Sequence, residues 1–335
     1  MPKHLTYRDA GVDITRGNEA VNRIKAIAES THRPEVMGGI GSFSGAFRWD
    51  DAGTLLAGAD GVGSKLLVAQ ALDRHDTVGI DLVAMNVNDI LASGGEPLFF
   101  LDYIAVGYLD PSLIASLVQG IGEGCRQANC ALLGGETAEM PALYSRGVYD
   151  LAGFVVGRQV KRWEPPVPGD RILGVASSGF HSNGYALLHR IIADHGLAWD
   201  QVYPQCQDKT LGECLLAPTV IYVQAIRRLW ESHSVRGLAH ITGGGILENL
   251  PRTLAPGQGA RIIRDSWPIP ELFSWFGSLG QVTEAEMFRT FNMGIGFMVV
   301  IPAGEAQSAL DLLHQTGLQA FDVGEVVEQP GVVLV

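Results

Sequence analysis

Three prolines within four residues punctuate the middle of this chain, in Trp163-Glu164-Pro165-Pro166-Val167-Pro168-Gly169. Proline fixes φ and removes a backbone donor, so no helix or interior strand runs through such a stretch. The segment Arg158 to Asp170 therefore reads as a linker. It divides the 335 residues into 1–165 and 166–335, each of ordinary domain length. Strand and helix patterns mix in both halves, which predicts two α+β or α/β domains.

In the first half, Thr54 to Ala59 reads as a buried strand delivering Asp60 at its end. Asp60-Gly61-Val62-Gly63-Ser64-Lys65 follows. Glycines admit backbone N–H groups to phosphate oxygens, lysine supplies a point charge, and carboxylates hold Mg²⁺. The spacing is not that of the common P-loop. From Gly79 to Ala92, the residues Ile80, Val83, Ala84, Val87, Ile90 and Leu91 form one helical stripe. Beside it lie Asp81, Asn86, Asn88 and Asp89, with no Lys or Arg. A solvated face usually mixes charge signs, so a cation site is favoured over a plain exposed face. Pro97 to Val106 reads as a strand interrupted by Asp102, an acid costly to bury without a partner. A helix over Pro111 to Ala128 and a short strand over Ala131 to Leu133 come next. The short strand runs into Gly134-Gly135-Glu136-Thr137-Ala138-Glu139-Met140-Pro141, and Tyr149 to Gly157 reads as a further strand.

The second half opens with a strand, Arg171 to Ser177. It leads through Ser177-Ser178-Gly179-Phe180-His181-Ser182-Asn183-Gly184 into a helix from Tyr185 to about His195. Small polar residues before a helix N-terminus suit an anion, and also suit a simple cap by Ser182 or Asn183. Pro218 to His233 reads as a long helix. His240-Ile241-Thr242-Gly243-Gly244-Gly245 follows, before a short helix over Ile246 to Leu250. Segments Glu271–Leu279, Glu284–Thr290, Ile295–Ile301, Glu305–Gln315 and Phe321–Val327 complete the alternation. At the other end of the chain, a polar arm precedes a helix carrying Val21, Ile24, Ile27 and Ala28. The run Gly38 to Phe47 reads as a flexible loop or as a backbone-lined lid.

Glycine is abundant, 42 of 335 residues against the roughly 7% usual, and it clusters as ligand loops do. A formal charge of −12 argues against a nucleic-acid partner, which calls for a basic patch. The four cysteines form no CxxC pair, the first residues lack the apolar core of a signal peptide, and no apolar run is long enough to span a membrane. These features suit a cytoplasmic protein with reduced thiols. No nucleophile elbow, zinc helix or dinucleotide fingerprint is present. The residues themselves point to an enzyme that uses ATP and Mg²⁺.

Several strings, in order and across nearly the whole chain, resemble the phosphoribosylformylglycinamidine cyclo-ligase (aminoimidazole ribonucleotide synthetase) family. They include Tyr7-Arg8-Asp9-Ala10-Gly11-Val12-Asp13-Ile14, Arg33-Pro34-Glu35-Val36-Met37-Gly38-Gly39, and Asp60 to Lys65. Gly79 to Asp89, Glu96 to Tyr103, Gly134 to Pro141, His181 to Tyr185 and His240 to Gly245 continue the series. Ser64 stands where the family usually has Thr, and serines replace some glycines between Gly38 and Phe47. The resemblance implies homodimers whose N-terminal sheets pair into a barrel, with C-terminal α/β domains outside. It implies ATP-dependent closure of formylglycinamidine ribonucleotide to aminoimidazole ribonucleotide, with ADP and phosphate released. It also implies Asp60 and Asp89 as metal ligands, with Asp81 and Glu136 in second rank at the metal–nucleotide site. Lys65 and Ser64 would meet ATP phosphates. Gly61, Gly63, Gly134, Gly135 and Thr137 would line the nucleotide. His181 and Asn183 would face the substrate or the transferring phosphate, with His240 behind them.

The wider superfamily also holds thiamine-monophosphate kinase, which leaves phosphate on its product where a ligase releases it. Selenophosphate synthesis is disfavoured, because no reactive Cys precedes a glycine-rich lysine loop. A nucleotide-binding scaffold would bind ATP without turnover.

Overall fold

The computed structural model describes residues 4–39, 41–50 and 53–335. Ile40 of the glycine–serine run and the first three residues of the chain start lie outside them. The first half contains α1 (Ile14–Glu29), β1 (Val36–Met37), β2 (Gly45–Arg48), β3 (Thr54–Gly61), α2 (Leu66–Leu72) and α3 (Val78–Ala92). It continues with β4 (Gly95–Val106), α4 (Pro111–Ala128), β5 (Ala131–Glu139) and β6 (Tyr149–Gln159). The second half begins with β7 (Arg171–Ala176), α5 (Tyr185–His195), α6 (Leu211–Leu215), α7 (Val223–Ser232), β8 (Gly237–His240) and α8 (Gly245–Asn249). β9 (Gly259–Ile262), α9 (Glu271–Leu279), α10 (Glu284–Thr290), β10 (Ile295–Ile301), α11 (Ala306–Gln315), β11 (Ala320–Val327) and β12 (Gly331–Leu334) follow.

Each half builds one sheet, in the orders β1-β2-β3-β6-β4-β5 and β12-β9-β11-β7-β10-β8. Neighbours are antiparallel except β4 with β5 and β12 with β9. The stretch of prolines joins the two sheets. The architecture is a two-domain α+β fold.

α4 starts where the sequence dictates. The Asp110 carboxylate accepts the Ser112 N–H, Pro111 occupies the first turn, and Asn129 closes the helix in the left-handed conformation. α3 is the central element. It packs on the first sheet at β3, β4 and β6, along α4, and against β8 and α7 of the second half. A side chain at Gly79 would collide with the backbone of α4 at Leu117 and Ile121, so the two helices meet nearly backbone to backbone. Every residue of α3 except Ile80 and Asp89 is buried. The apolar stripe faces the core, and the polar face is covered by the second half rather than by solvent.

Two sequence expectations change here. The helix expected from Pro218 begins only at Val223, because the backbone from Ala217 to Tyr222 bonds to other segments. Gly134 to Glu139 is not a loop after a short strand but the continuation of β5 at the sheet edge. A side chain on Gly135 would overlap the Asp102 carboxylate on the neighbouring strand, so glycine is required there.

Candidate active site

Sheet register fixes where the acids point. Asp60 on β3, Gly153 on β6, Asp102 on β4 and Gly135 on β5 form one row across four strands. A Cβ on Gly153 would meet the Phe100 ring and the Asn86 amide, so this row faces α3. Asn86 donates to the Asp60 carbonyl at 3.3 Å, tying the end of β3 to the helix. The Asp60 carboxylate accepts the Gly61 N–H at 2.7 Å.

Asp60 keeps an exposed edge, yet desolvation by the surrounding walls first, and then the nearby Asp89 charge, push its carboxyl up to about 6; Gly61 and His240 pull it the other way. Asp89 in turn is held by His240, whose Nδ1 lies 2.8 Å from Asp89 Oδ1. A carboxylate can only accept, so Nδ1 carries the imidazole proton. That leaves Nε2 of His240 buried without a partner. Asp89 remains partly open, its side chain 24% exposed, with Oδ1 engaged by His240.

Further along α3 the polar residues join the two halves. Asp81 Oδ1 accepts from Lys65 Nζ at 2.9 Å, Ser182 Oγ at 3.1 Å, Thr219 N at 2.7 Å and Thr219 Oγ1 at 2.6 Å. Lys65 Nζ also donates to the Ala217 carbonyl at 2.6 Å, and neither Lys65 nor Asp81 is exposed at all. Burial lowers the Lys65 ammonium from its ordinary value, against the pull of Asp81. Lys65 was expected at ATP phosphates; the structure gives its charge to Asp81 instead, with no face left open. Asn88 donates to the Val220 carbonyl and accepts the Tyr222 N–H. The acid-rich helix face is thus largely a seam between domains, and only Asp89 on it faces a cleft.

The loop before α5 is fixed by the same seam. His181 is buried at a φ of 58°. Its Nε2 accepts N–H groups from Ser178 at 3.2 Å and Val220 at 3.5 Å, so the proton sits on Nδ1, which is buried without a partner. Burial, then His240 and Lys65, hold this imidazole well below its usual range. Asn183 stays half-open, and its Oδ1 accepts the Gly243 N–H at 2.9 Å.

Asp60, Asp89, Asn183, His240 and the Gly61–Ser64 turn therefore converge near the seam. Ser64 uses its carbonyl to accept from His189 Nε2 at 2.8 Å. Gly134, Gly135, Glu136 and Thr137 do not join them within one chain. They lie three strands from β3, roughly 14 Å away at ordinary strand spacing, and Glu136 is exposed. Sequence reasoning missed Thr219 and Ser182 as Asp81 partners, since nothing in Pro218-Thr219 marks a contact so distant in the chain.

Among the described residues, no group of three or more His, Cys, Asp or Glu could hold a metal alone. The pair Asp60 and Asp89 nevertheless fits Mg²⁺, which characteristically takes one or two carboxylates and completes its shell with water and nucleotide phosphates. Their mutual repulsion is what such a cation relieves.

This fold and site define a protein of the AIR synthase related class. Residues 41–159 match the family "AIR synthase related protein, N-terminal domain", and residues 167–335 match its C-terminal domain. The chain belongs to the phosphoribosylformylglycinamidine cyclo-ligase family. It is 50% identical over 335 residues to the enzyme so named from Gloeothece citriformis, covering 98% of each chain. It is likewise 50% identical to the one from Oceanobacillus iheyensis, covering 97% of this chain and 98% of that one. In structure it resembles thiamine-monophosphate kinase from Stenotrophomonas maltophilia, with a TM-score of 0.63, 19% identity and coverage of 93% and 94%. Protein tt0281 from Thermus thermophilus gives 0.64, 20% and 95% of each chain. At these identities the likeness extends to the fold alone.

Proposed function

We propose that this chain catalyses the ATP-dependent closure of formylglycinamidine ribonucleotide to aminoimidazole ribonucleotide, releasing ADP and phosphate, in purine biosynthesis. The observation that carries the reading is half identity, over nearly the full length, to cyclo-ligases. The chemistry converts an amide oxygen into a leaving group. The formamide oxygen takes the γ-phosphoryl group, the amidine-side nitrogen attacks that carbon, and phosphate departs. Such a site must position the oxygen in line with phosphorus and exclude water.

Asp60 and Asp89 would hold Mg²⁺, which supplies neutralisation of the phosphate charge when bound. His240 orients Asp89 and leaves its second oxygen free. The backbone of Gly61, Gly63 and Ser64 would meet the nucleotide, and the Asn183–Gly243 junction would meet the amidine-bearing substrate. Lys65 and Asp81 act behind this line, by holding the loop that bears His181 and Asn183.

The reading includes a homodimer in the cytoplasm. No helix among the described residues is long and apolar enough to cross a membrane. One face of the first sheet is uncovered and carries Leu133 at 66% exposure and Phe154 at 47%, a patch that a second copy would bury. Pairing there would also place a partner's Gly134–Thr137 edge near this sheet. Sedimentation of the purified protein tests it: a dimer that Phe154→Glu converts to monomer is expected, and a monomeric wild type sinks it. Turnover with formylglycinamidine ribonucleotide and Mg-ATP tests the reaction. Free phosphate equal to ADP, with a cyclised product, is expected. Phosphate retained on the product would make the chain a kinase.

A further inference from the structure

A nucleotide site built from Asp60 and Asp89 repels the phosphate of a ribonucleotide substrate. That phosphate needs a cation elsewhere within reach, and Lys65 is fully engaged. A cavity of about 460 Å³ opens beside the linker, where both halves meet. It is lined by Phe43, Ser93, Trp163, Arg236, Leu238 and Arg252, among others. The Arg236 charge is paired with Asp170, whose two oxygens lie 2.8 and 3.0 Å from its Nη1, although its Nε is buried without a partner. Arg252 differs. Its guanidinium lies over the Phe43 ring, 5.2 Å from the centroid, and it forms no ion pair among the described residues.

The cavity also adjoins the acid pair. Ser93 on its wall is one helical turn, about 6 Å, beyond Asp89 on the same helix. Leu238 lies two residues before His240 on β8. A ribonucleotide is longer than one helical turn, so a single molecule with its reacting end at Asp89 extends past Ser93 into the cavity that Arg252 lines. Arg252 stands on the turn that follows α8, and so belongs to the same segment as Gly243, which Asn183 holds.

The geometry points to this linker cavity as the phosphate subsite of the ribonucleotide substrate, with Arg252 as its ligand. The assignment rests on the proposed cyclo-ligase reaction for the identity of the ligand, not for the existence of an anion site. Arginine suits a phosphate monoester because its planar fork donates two parallel hydrogen bonds, and the Phe43 ring beneath it favours a cation at that position. Among the described residues, Glu164 is the one acid on the cavity wall, and it opposes the anion.

Steady-state kinetics with Arg252→Gln test it. Expected is a rise of about 10- to 100-fold in KM for the ribonucleotide, the loss of one charge-assisted contact, with KM for ATP unchanged and with partial recovery in Arg252→Lys. Glu164→Gln is expected to lower the same KM. Calorimetric titration with ribose 5-phosphate gives a readout free of turnover, with binding to the wild type and weakened binding to Arg252→Gln. An unchanged ribonucleotide KM in Arg252→Gln overturns the assignment, as does a rise in the ATP KM alone. The same rise in Lys209→Ala, which lines a separate cavity near Ser178, also overturns it. If ribose 5-phosphate binds through Arg252 but no cyclisation occurs, the subsite stands and the reaction assigned to the chain is what fails.

Discussion

Removing the Lys65 ammonium isolates a fully buried ion pair. In Lys65→Met the Asp81 carboxylate stays buried, keeps its bonds from Ser182 and Thr219, and loses its only counter-charge. Stranding one partner of a fully buried pair costs about 3–5 kcal/mol, a large share of the roughly 5–15 kcal/mol that holds a domain folded. Lys65→Met combined with Asp81→Leu removes both charges. It leaves the Thr219 N–H and the Ala217 carbonyl without partners, while the Ser182 and Thr219 hydroxyls, 3.2 Å apart, can bond to each other. The double variant is therefore expected to be less destabilised than the two single variants summed, by at least about 2 kcal/mol. Urea titration followed by tryptophan fluorescence measures this as midpoint shifts at a common slope. Additive effects, or a Lys65→Met cost under about 1 kcal/mol, would refute the seam reading. A raised ATP KM with stability intact would return Lys65 to the phosphates.

Other outcomes follow from single contacts. Asp89→Asn is expected to keep the fold and lose at least about 100-fold in Mg²⁺-dependent turnover; folded protein with ordinary turnover removes Asp89 from the metal site. His181 is buried neutral, with its folded pKa below its unfolded value. The unfolded chain therefore binds more protons as pH falls, and stability declines below about pH 6.5 by up to about 1.4 kcal/mol per unit. Chemical denaturation at about pH 6.5 and pH 5 should show a shallower loss in His181→Gln, and equal slopes would exclude the residue. Gly153→Ala drives a methyl group into the Phe100 ring and the Asn86 amide. A loss of about 1–3 kcal/mol is expected by calorimetry, and an unchanged Tm would mean that β6 and α3 are looser than they look.

The parts of the fold legible in the sequence are those with a strong local signal. The bounds of α4 and α5 follow from periodic stripes and from stop residues, Asn129 and Gly196 in the left-handed region. The four-residue strands β2, β8, β9 and β12 are too short to show a period, and the glycines of β5 disguise a strand as a loop. The helix after Pro218 is shortened by partners in the other half, which no local window contains. For the site, the end of β3 was legible as a place where an acid meets glycines, whereas the Gly134–Gly135 pair, read as a ligand loop, lies in an edge strand where Gly135 clears the Asp102 carboxylate. Which acid faces a cleft was not.

The polar face of α3 shows why. Asp81 and Asp89 are both acids on one helix, two turns apart, and nothing in their spacing separates a structural role from a catalytic one. The separation comes from the partner that covers each. Asp81 meets a lysine and a threonine amide and is sealed, whereas Asp89 meets Nδ1 of His240 and stays open. A buried charge is tolerable only with a counter-charge or full hydrogen bonding, so the sealed acid must carry Lys65. An open acid beside Asp60, with no lysine or arginine paired to it among the described residues, suits a cation supplied by a ligand. The lysine that reads in sequence as a nucleotide contact instead pairs with Asp81, two turns from Asp89 on the same helix. It satisfies Asp81, locks Ser182 and Thr219 across the seam, and so fixes where Asn183 stands relative to Asp89.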